Sequence, residues 1–334
     1  MDPVAALKQI ALHLERAGEP THKVTAFRRA AARVSELSRA EVAERARAGT
    51  LTDLPGIGKT TATVIAEAVA GGEPAYLTRL TGSATAPTGG EGLRAALRGD
   101  CHTHSDWSDG GSPIREMAEA AIALGHEWMV LTDHSPRLRV ANGLSAERLR
   151  RQLEVVAELN VELAPFLILT GIEVDILADG ALDQTDELLS TLDVVVASVH
   201  SQLRMARAEM TERMLTAVAN PHVDVLGHCT GRLVTGKGRP ESEFDAEAVF
   251  AACARYGVAV EINSRPERLD PPRRLLELAR DTGCDFAIDS DAHAPGQLHW
   301  QPYGCARAEE VGITADRVIN TRTVDELLGA IAAR

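Results

Sequence analysis

No stretch of the chain supplies the roughly 18 consecutive apolar residues that a membrane-spanning helix needs, and the first 20 residues, MDPVAALKQIALHLERAGEP, carry charges throughout instead of an apolar signal-peptide core. The expectation is a cytoplasmic protein with no membrane partner. Cysteine is scarce as well. The five present (Cys101, Cys229, Cys253, Cys284, Cys305) form no CxxC pair and are odd in number, which signals neither a disulfide framework nor a thiolate zinc site. Positive charge is also in deficit, with 35 Lys/Arg against 48 Asp/Glu and a net charge of -13. Taken whole, that balance disfavours a polyanionic partner, because the field of a protein steers ligands of opposite sign. The distribution changes the conclusion. Residues 1–80 hold 11 Lys/Arg against 9 Asp/Glu, so the deficit lies entirely beyond them. A carboxylate-rich unit that takes up divalent cations is much less negative once loaded, since the ions are the largest local charges.

A chain of 334 residues accommodates one large and one small domain. The N-terminal stretch reads as short helices. Asp2 is placed to cap the first and Pro3 to start it, with Leu7, Ile10, Ala11 and Leu14 at helical spacing before Gly18. A second helix after Thr21 carries Val24, Phe27, Ala31 and Val34 on one side and Arg28, Arg29 and Arg33 on another. A third runs from Ser38 to Gly49, and the Gly-rich turn Leu54-Pro55-Gly56-Ile57-Gly58-Lys59-Thr60 leads into a fourth that ends at Gly71-Gly72. TGSATAPTGGEG, residues 81–92, has no periodicity and reads as a connection. The expected division is a helical domain at 1–80, a linker at 81–98 and a second domain at 99–334.

Beyond the linker, apolar strand-like runs alternate with helical stretches: WMVLT (128–132), FLILTGIEV (166–174), DVVVASV (193–199), VDVLG (223–227), GVAVEIN (257–263) and DFAIDS (285–290). LRGDC before His102 is a weaker strand candidate, and RVINT (317–321) an eighth. Such alternation predicts a parallel sheet with crossover helices. Each candidate strand ends on a residue able to hold a metal or a polar substrate: His102 and His104, His134, Glu173, His200, His228, Asn263, and Asp291 with His293. In a closed parallel barrel those ends share one pocket. Six of the eleven histidines lie there. Histidine and carboxylate without cysteine suit zinc, manganese or iron, and the set is too large for one ion. Asp106 and Asp109 share the loop after His104, and spacing does not choose between them.

HTHSDWSDG (102–110), LTDHS (131–135), GIEVDIL (171–177), SVHS (198–201), LGHCTGR (226–232), EINSRPERLD (261–270) and IDSDAH (288–293) together resemble the polymerase-and-histidinol-phosphatase (PHP) domain. Within that superfamily the similarity is greatest to the C-terminal domain of bacterial family X DNA polymerases. The resemblance implies an α/β fold, a distorted (β/α)7 TIM-like barrel, holding three divalent ions (Mn, Zn and/or Fe). By motif position His102, His104, Glu173 and Asp291 hold one ion; Glu173, His200 and His228 a second; Asp109, in preference to Asp106, with His134 and His293 a third. The implied reaction is phosphoester hydrolysis by metal-activated water, with Glu173, Arg232 and Arg265 as catalytic residues and Arg232, Asn263, Arg265 and Lys237 holding the substrate phosphate.

Residues 1–80 resemble the helix-hairpin-helix domain of the same polymerases, which implies sequence-independent DNA binding through Gly56, Gly58, Lys59 and Thr60, where glycines let backbone N–H groups approach a phosphate. Two departures matter. The polymerase palm, with its paired aspartates, has no counterpart between the two domains, so polymerisation is not expected. Val64 stands where lyase-active relatives carry a Schiff-base lysine. The expected function is a DNA 3′-5′ exonuclease or 3′-end-processing enzyme in DNA repair. The alternatives are a small-molecule phosphatase of the histidinol-phosphate type and, least favoured, a non-catalytic DNA-binding scaffold.

Overall fold

The computed structural model describes residues 1–81 and 87–333. The chain forms two compact units, Met1–Ala86 with Ala294–Gln297, and Pro87–His293 with Leu298–Arg334.

The small unit is helical. α1 (Pro3–Arg16) starts where Asp2 Oδ2 accepts from the Ala5 N–H at 2.9 Å, and it buries the expected Leu7, Ile10, Ala11 and Leu14. Such a cap contributes ~1 kcal/mol. α2 (Thr21–Ser35) buries Val24, Phe27, Ala31 and Val34. α3 (Arg39–Ala48) is bounded by the Ser38 hydroxyl cap and by Gly49 at φ 71°, the left-handed conformation in which glycine costs least. α4 (Lys59–Val69) follows the Gly-rich turn, and α5 (Ala75–Thr81), unforeseen in the sequence, adds buried Leu77.

The large unit begins earlier than the strand pattern implies. Residues 82–86 of the expected linker lie outside the described residues, but 91–96 are not linker: α6 (Glu91–Ala96) is a helix whose Leu93, with Leu97 after it, is buried in the main core. The i, i+4 spacing of those two leucines makes one apolar face. The glycines on either side of Glu91 hid it.

Next come β1 (Gly99–Thr103), α7 (Ile114–Ala123), β2 (Trp128–Leu131), α8 (Ala146–Leu163), β3 (Leu167–Asp175), α9 (Asp186–Leu189), β4 (Val194–Ser198), α10 (Arg207–Val218), β5 (Val225–Leu226), α11 (Ala246–Tyr256), β6 (Ala259–Asn263), α12 (Arg273–Thr282), β7 (Phe286–Asp289), α13 (Gln301–Glu310) and α14 (Val324–Ala332). The strands pair in parallel in sequence order, β1 to β7. The seam between β1 and β7 is nearly closed: Thr103 bridges Ala292, and Asp289 Oδ1 accepts the Cys101 N–H at 2.8 Å. RVINT is not an eighth strand. Ala315–Arg317 and Ile319–Thr321 are single 3-10 turns, and buried Asn320 bonds Ile288 N, Asp289 Oδ1 and Gly99 O at the seam. Its side chain satisfies ladder groups there, and a single parallel bridge, Val318 to Phe286, is all the segment adds to the sheet.

The period-two alternation of strands sorts the side chains into two layers. Trp128, Val130, Leu169, Val194, Val196, Val225, Ala259 and Ala287 form one cluster drawn from six strands, the barrel interior. Ile172, Val174, Val195, Ala197, Val260, Ile262 and Ile288 pack outward against helices. Continuing the inward set along each strand leads to His134, Glu173, His200, Asn263 and Asp291. The apolar floor thus gives way to polar groups at the C-terminal rim. Among the described residues no helix is long and apolar enough to cross a membrane.

Candidate metal centre

Glu173 is the hub of the rim. Its Oε1 lies 2.9 Å from His228 Nε2 and 3.2 Å from His200 Nε2. Its Oε2 lies 2.8 Å from His134 Nδ1, 3.3 Å from His102 Nε2 and 3.6 Å from His104 Nε2. Asp291 Oδ1 is 3.5 Å from His104 Nε2 and 3.9 Å from His102 Nε2, while Asp109 Oδ1 is 3.5 Å from His134 Nε2 and 3.3 Å from His293 Nε2. All nine sequence-predicted ligands therefore meet. Three sets of donor atoms lie within 4.8 Å of one another: His104, Asp109, His134 and His293; His102, His104 and Glu173; His134, Glu173 and His200. They share His104, His134 and Glu173, so the sets form one continuous centre. Asp106 belongs to none of the three; the geometry favours Asp109, the choice that spacing left open.

The chemistry of these donors fits metal ions. His102 Nε2, both ring nitrogens of His104, His134 Nδ1 and Glu173 Oε2 are buried and converge on one another without a properly directed hydrogen bond, an arrangement that costs a few kcal/mol per group unless something binds there. The ring nitrogens on the far side are satisfied instead. His102 Nδ1 meets Glu261 Oε1 at 2.5 Å, His200 Nδ1 meets Asp175 Oδ1 at 2.5 Å, and His293 Nδ1 meets the Asp291 carbonyl at 2.9 Å. For His102 and His200 the carboxylate on Nδ1 fixes the tautomer with its Nε2 lone pair facing inward. Glu261 and Asp175 were missed in the sequence, although both stand two residues from a singled-out position, on the same face of their strands.

Charge within the cluster is set by mutual proximity. Burial by itself lowers the pKa of His200, but the Glu173 carboxylate and the bond to Asp175 outweigh it and push the value up to about 9. His102 is likewise raised against its burial by Glu173, Glu261 and Asp291. Conversely, burial would raise Glu173, yet His200, His102 and His134 hold it well below the usual carboxylate range. Metal uptake must displace the proton of His200. Ion affinity is therefore expected to rise from pH 7 to 9. The metal-free protein should do the opposite: a histidine raised from 6.5 to about 9 adds stability in full below pH ~6.5, and that contribution, on the order of 3 kcal/mol, is lost as pH climbs through ~9. Melting curves of chelated and metal-loaded protein across pH 6.5–9 read both trends.

The expected phosphate-binding residues fare unequally. Arg265 lies at the centre, its Nη1 3.1 Å from His293 Nδ1 and 3.5 Å from Asp291 Oδ1. Asn263 is fully buried, donating to Asp291 Oδ2 at 3.1 Å and to Glu261 Oε2 at 3.2 Å. It orients the carboxylates and is enclosed by them. Arg232 turns away, donating to the carbonyls of Arg268 and Leu269 and facing Glu241. Those carbonyls, in the loop between β6 and α12, need donors that no ladder provides. Lys237 is exposed in the Leu233–Arg239 hairpin, and none of its contacts reaches the cluster. Arg268 was overlooked; its Nε sits 3.3 Å from Asp291 Oδ2.

In the small unit, Gly56 takes φ 85°, Gly58 precedes α4, and both are exposed together with Lys59 and Thr60. The Gly58 N–H donates to Thr61 Oγ1 at 3.0 Å, tying the turn to the first helical residues. Arg29 is exposed beside it, its Cβ 3.9 Å from where a Gly56 side chain would begin.

The PHP domain profile matches residues 100–265, and a helix-hairpin-helix domain profile matches residues 1–74. A probable phosphatase of Thermoanaerobacter sp. strain X514 is 30% identical over 233 residues, covering 66% of this chain and 89% of its own. The chain belongs to the PHP family. The DNA polymerase/3′-5′ exonuclease PolX of Bacillus subtilis strain 168 is 40% identical over 231 residues, 69% of this chain; the match spans 40% of the length of PolX. Among solved structures, the Lactococcus lactis histidinol phosphate phosphatase complexed with zinc, L-histidinol and phosphate aligns at a TM-score of 0.47 and 18% identity, covering 65% of this chain and 95% of that one. Family and donor set together make this PHP protein a metal-dependent phosphoesterase, hence a hydrolase.

Proposed function

We propose that this PHP protein processes DNA 3′ ends in repair, as a 3′-5′ exonuclease or by removing 3′ phosphates. One observation carries the reading: seven donors in three overlapping clusters, with His228 against Glu173 and Asp291 against His104, share a chain with a helix-hairpin-helix unit whose turn is exposed. Three ions are assigned, to His102, His104, Glu173 and Asp291; to Glu173, His200 and His228; and to Asp109, His134 and His293. When bound, such ions supply an activated water and a clamp for the oxygens of the phosphoryl group. The chain's own residues do the rest. Glu261 and Asp175 hold His102 and His200 in the tautomer that presents Nε2. Asn263 and Arg268 fix the second oxygen of Asp291. Arg265, 18% exposed, pairs through Nε and Nη2 with Glu267 and would take a substrate phosphate by exchanging that carboxylate for it. Gly56, Gly58, Lys59 and Thr60 receive the DNA backbone.

A second reading, a small-molecule phosphatase, is favoured by the probable phosphatases, of which this chain covers about nine tenths. The test is to offer labelled DNA oligonucleotides and histidinol phosphate in parallel, with manganese or zinc. Shortening of DNA from the 3′ end at the higher kcat/KM is expected; faster release of phosphate from histidinol phosphate would reverse the assignment.

A further inference from the structure

The outer donors of the centre are held differently from the inner ones. His102, His104, His228 and Glu173 lie in or just beyond strands and are at most 2% exposed. Asp109 is 36% exposed and sits on the loop between β1 and α7, outside any ladder. That loop closes on itself, with Gly110 N donating to Ser105 O at 2.9 Å and Asp106 N to Ser112 O at 2.9 Å. A Cβ on Gly110 would fall 2.5 Å from Ser105 O, so the turn requires glycine.

One buried carboxylate fastens the loop to the barrel. Asp133, 1% exposed, accepts through Oδ1 from Ser105 N at 2.8 Å and Ser108 Oγ at 2.5 Å, and through Oδ2 from Ser105 Oγ at 2.6 Å and from Gln152 Nε2 of α8 at 2.6 Å. Four donors thus fill the four lone-pair directions of the group, three of them from the loop. Ser108 is the neighbour of Asp109 and touches its Oδ1 at 3.4 Å. Asp133 directly precedes His134, and successive residues leaving a strand face opposite ways. Consequently one dipeptide sends an imidazole into the centre and a carboxylate into the loop that brings Asp109 toward it.

We propose that Asp133 is the positioning residue of the ion assigned to Asp109, His134 and His293: without touching that ion, it fixes the loop-borne ligand against the strand-borne one. The proposal rests on the trinuclear reading. The Asp133 carboxylate makes no contact with His102, His200 or His228, and the Asp133 carbonyl that accepts from Glu173 N at 3.3 Å is kept in a side-chain substitution, so the change acts first on the loop that carries Asp109.

The test uses the full chain and manganese or zinc alone as probe. Ions per chain and stepwise affinities are measured by elemental analysis and chelator competition for the wild type, Asp133→Asn and Ser108→Ala. The expected result is two ions held as in the wild type and one weakened about 10–100-fold, the usual effect of losing an outer-shell partner. Hydrolysis of bis-p-nitrophenyl phosphate should fall at limiting metal and recover in excess manganese, which a general loss of structure would not allow. If Asp133→Asn fails to fold, Ser108→Ala decides, because it removes only a hydroxyl on the loop side. A third ion bound as tightly in Ser108→Ala as in the wild type, or a parallel loss of all three, overturns the proposal. A wild type that binds fewer than three ions in excess metal overturns the trinuclear reading itself.

Discussion

Glu173→Ala is expected to remove two ions and nearly all hydrolysis at once. Its two carboxylate oxygens face different imidazoles, Oε1 toward His200 and His228 and Oε2 toward His102, His104 and His134. Glu261 also touches both sets, but through His102 Nδ1 and the His228 backbone N–H, not through the inward ring nitrogens. A change at His228 leaves the group around His102 with its full complement, whereas a change at Glu173 takes a ligand from two assigned sites together. Activity should fall by more than the roughly 10²–10³-fold that the loss of one transition-state donor costs, since water activation and the phosphoryl clamp depend on the same ions. Glu173→Gln keeps the volume and isolates the charge. It should lose the ions as well, because a neutral amide offsets none of their charge. Elemental analysis beside turnover of bis-p-nitrophenyl phosphate reads both variants, and a Glu173→Ala protein with wild-type ion content would refute the bridging assignment.

The fold was legible because its signals are periodic. Six apolar runs became β2 to β7, each within two residues of its expected bounds at either end. The weak candidate LRGDC shifted: β1 is Gly99–Thr103, so that His102 lies inside the strand. β1 gives the interior cluster only Cys101, while Asp100 accepts from Ser290 N at the seam and His102 serves the centre. RVINT had the composition of a strand, but only Val318 bridges β7, at Phe286, and the 3-10 turns on either side of it stop the ladder there. Side-chain direction was the harder question. Arg232 and Arg265 look equivalent in sequence, each following a ligand-bearing strand end, yet one fastens a loop and the other faces the centre. Which carbonyls lack a donor is a property of the folded loop, and only that decides between them. Glu261 and Asp175 escaped notice for a different reason. They contact the far nitrogen of a histidine, Asp175 from the last residue of β3 and Glu261 from within β6, and the role of an orienting carboxylate leaves no mark beyond the alternation of its strand.

Reversing the charge at the hairpin, with Lys59→Glu and Arg29→Glu together, should reduce DNA binding strongly while leaving the centre unaltered. Lys59 is the first residue of α4, where a glutamate is favoured by the helix dipole by roughly 0.3–1 kcal/mol; that substitution should not cost stability. Arg29 is exposed on α2 next to Gly56 and contributes charge without core packing. If the exposed turn and these two cations receive a phosphate backbone, each lost contact removes about 0.9 from the slope of log affinity against log salt. The double variant should therefore bind DNA at least about tenfold more weakly at moderate salt, with a slope shallower by nearly two. Ion content and turnover of bis-p-nitrophenyl phosphate should match the wild type, because every assigned ligand lies between His102 and His293. Oligonucleotide hydrolysis should fall through KM, with kcat at saturation largely kept. Unchanged DNA affinity, slope and hydrolysis, together with a preference for histidinol phosphate, would transfer the barrel's chemistry from nucleic-acid ends to a soluble metabolite.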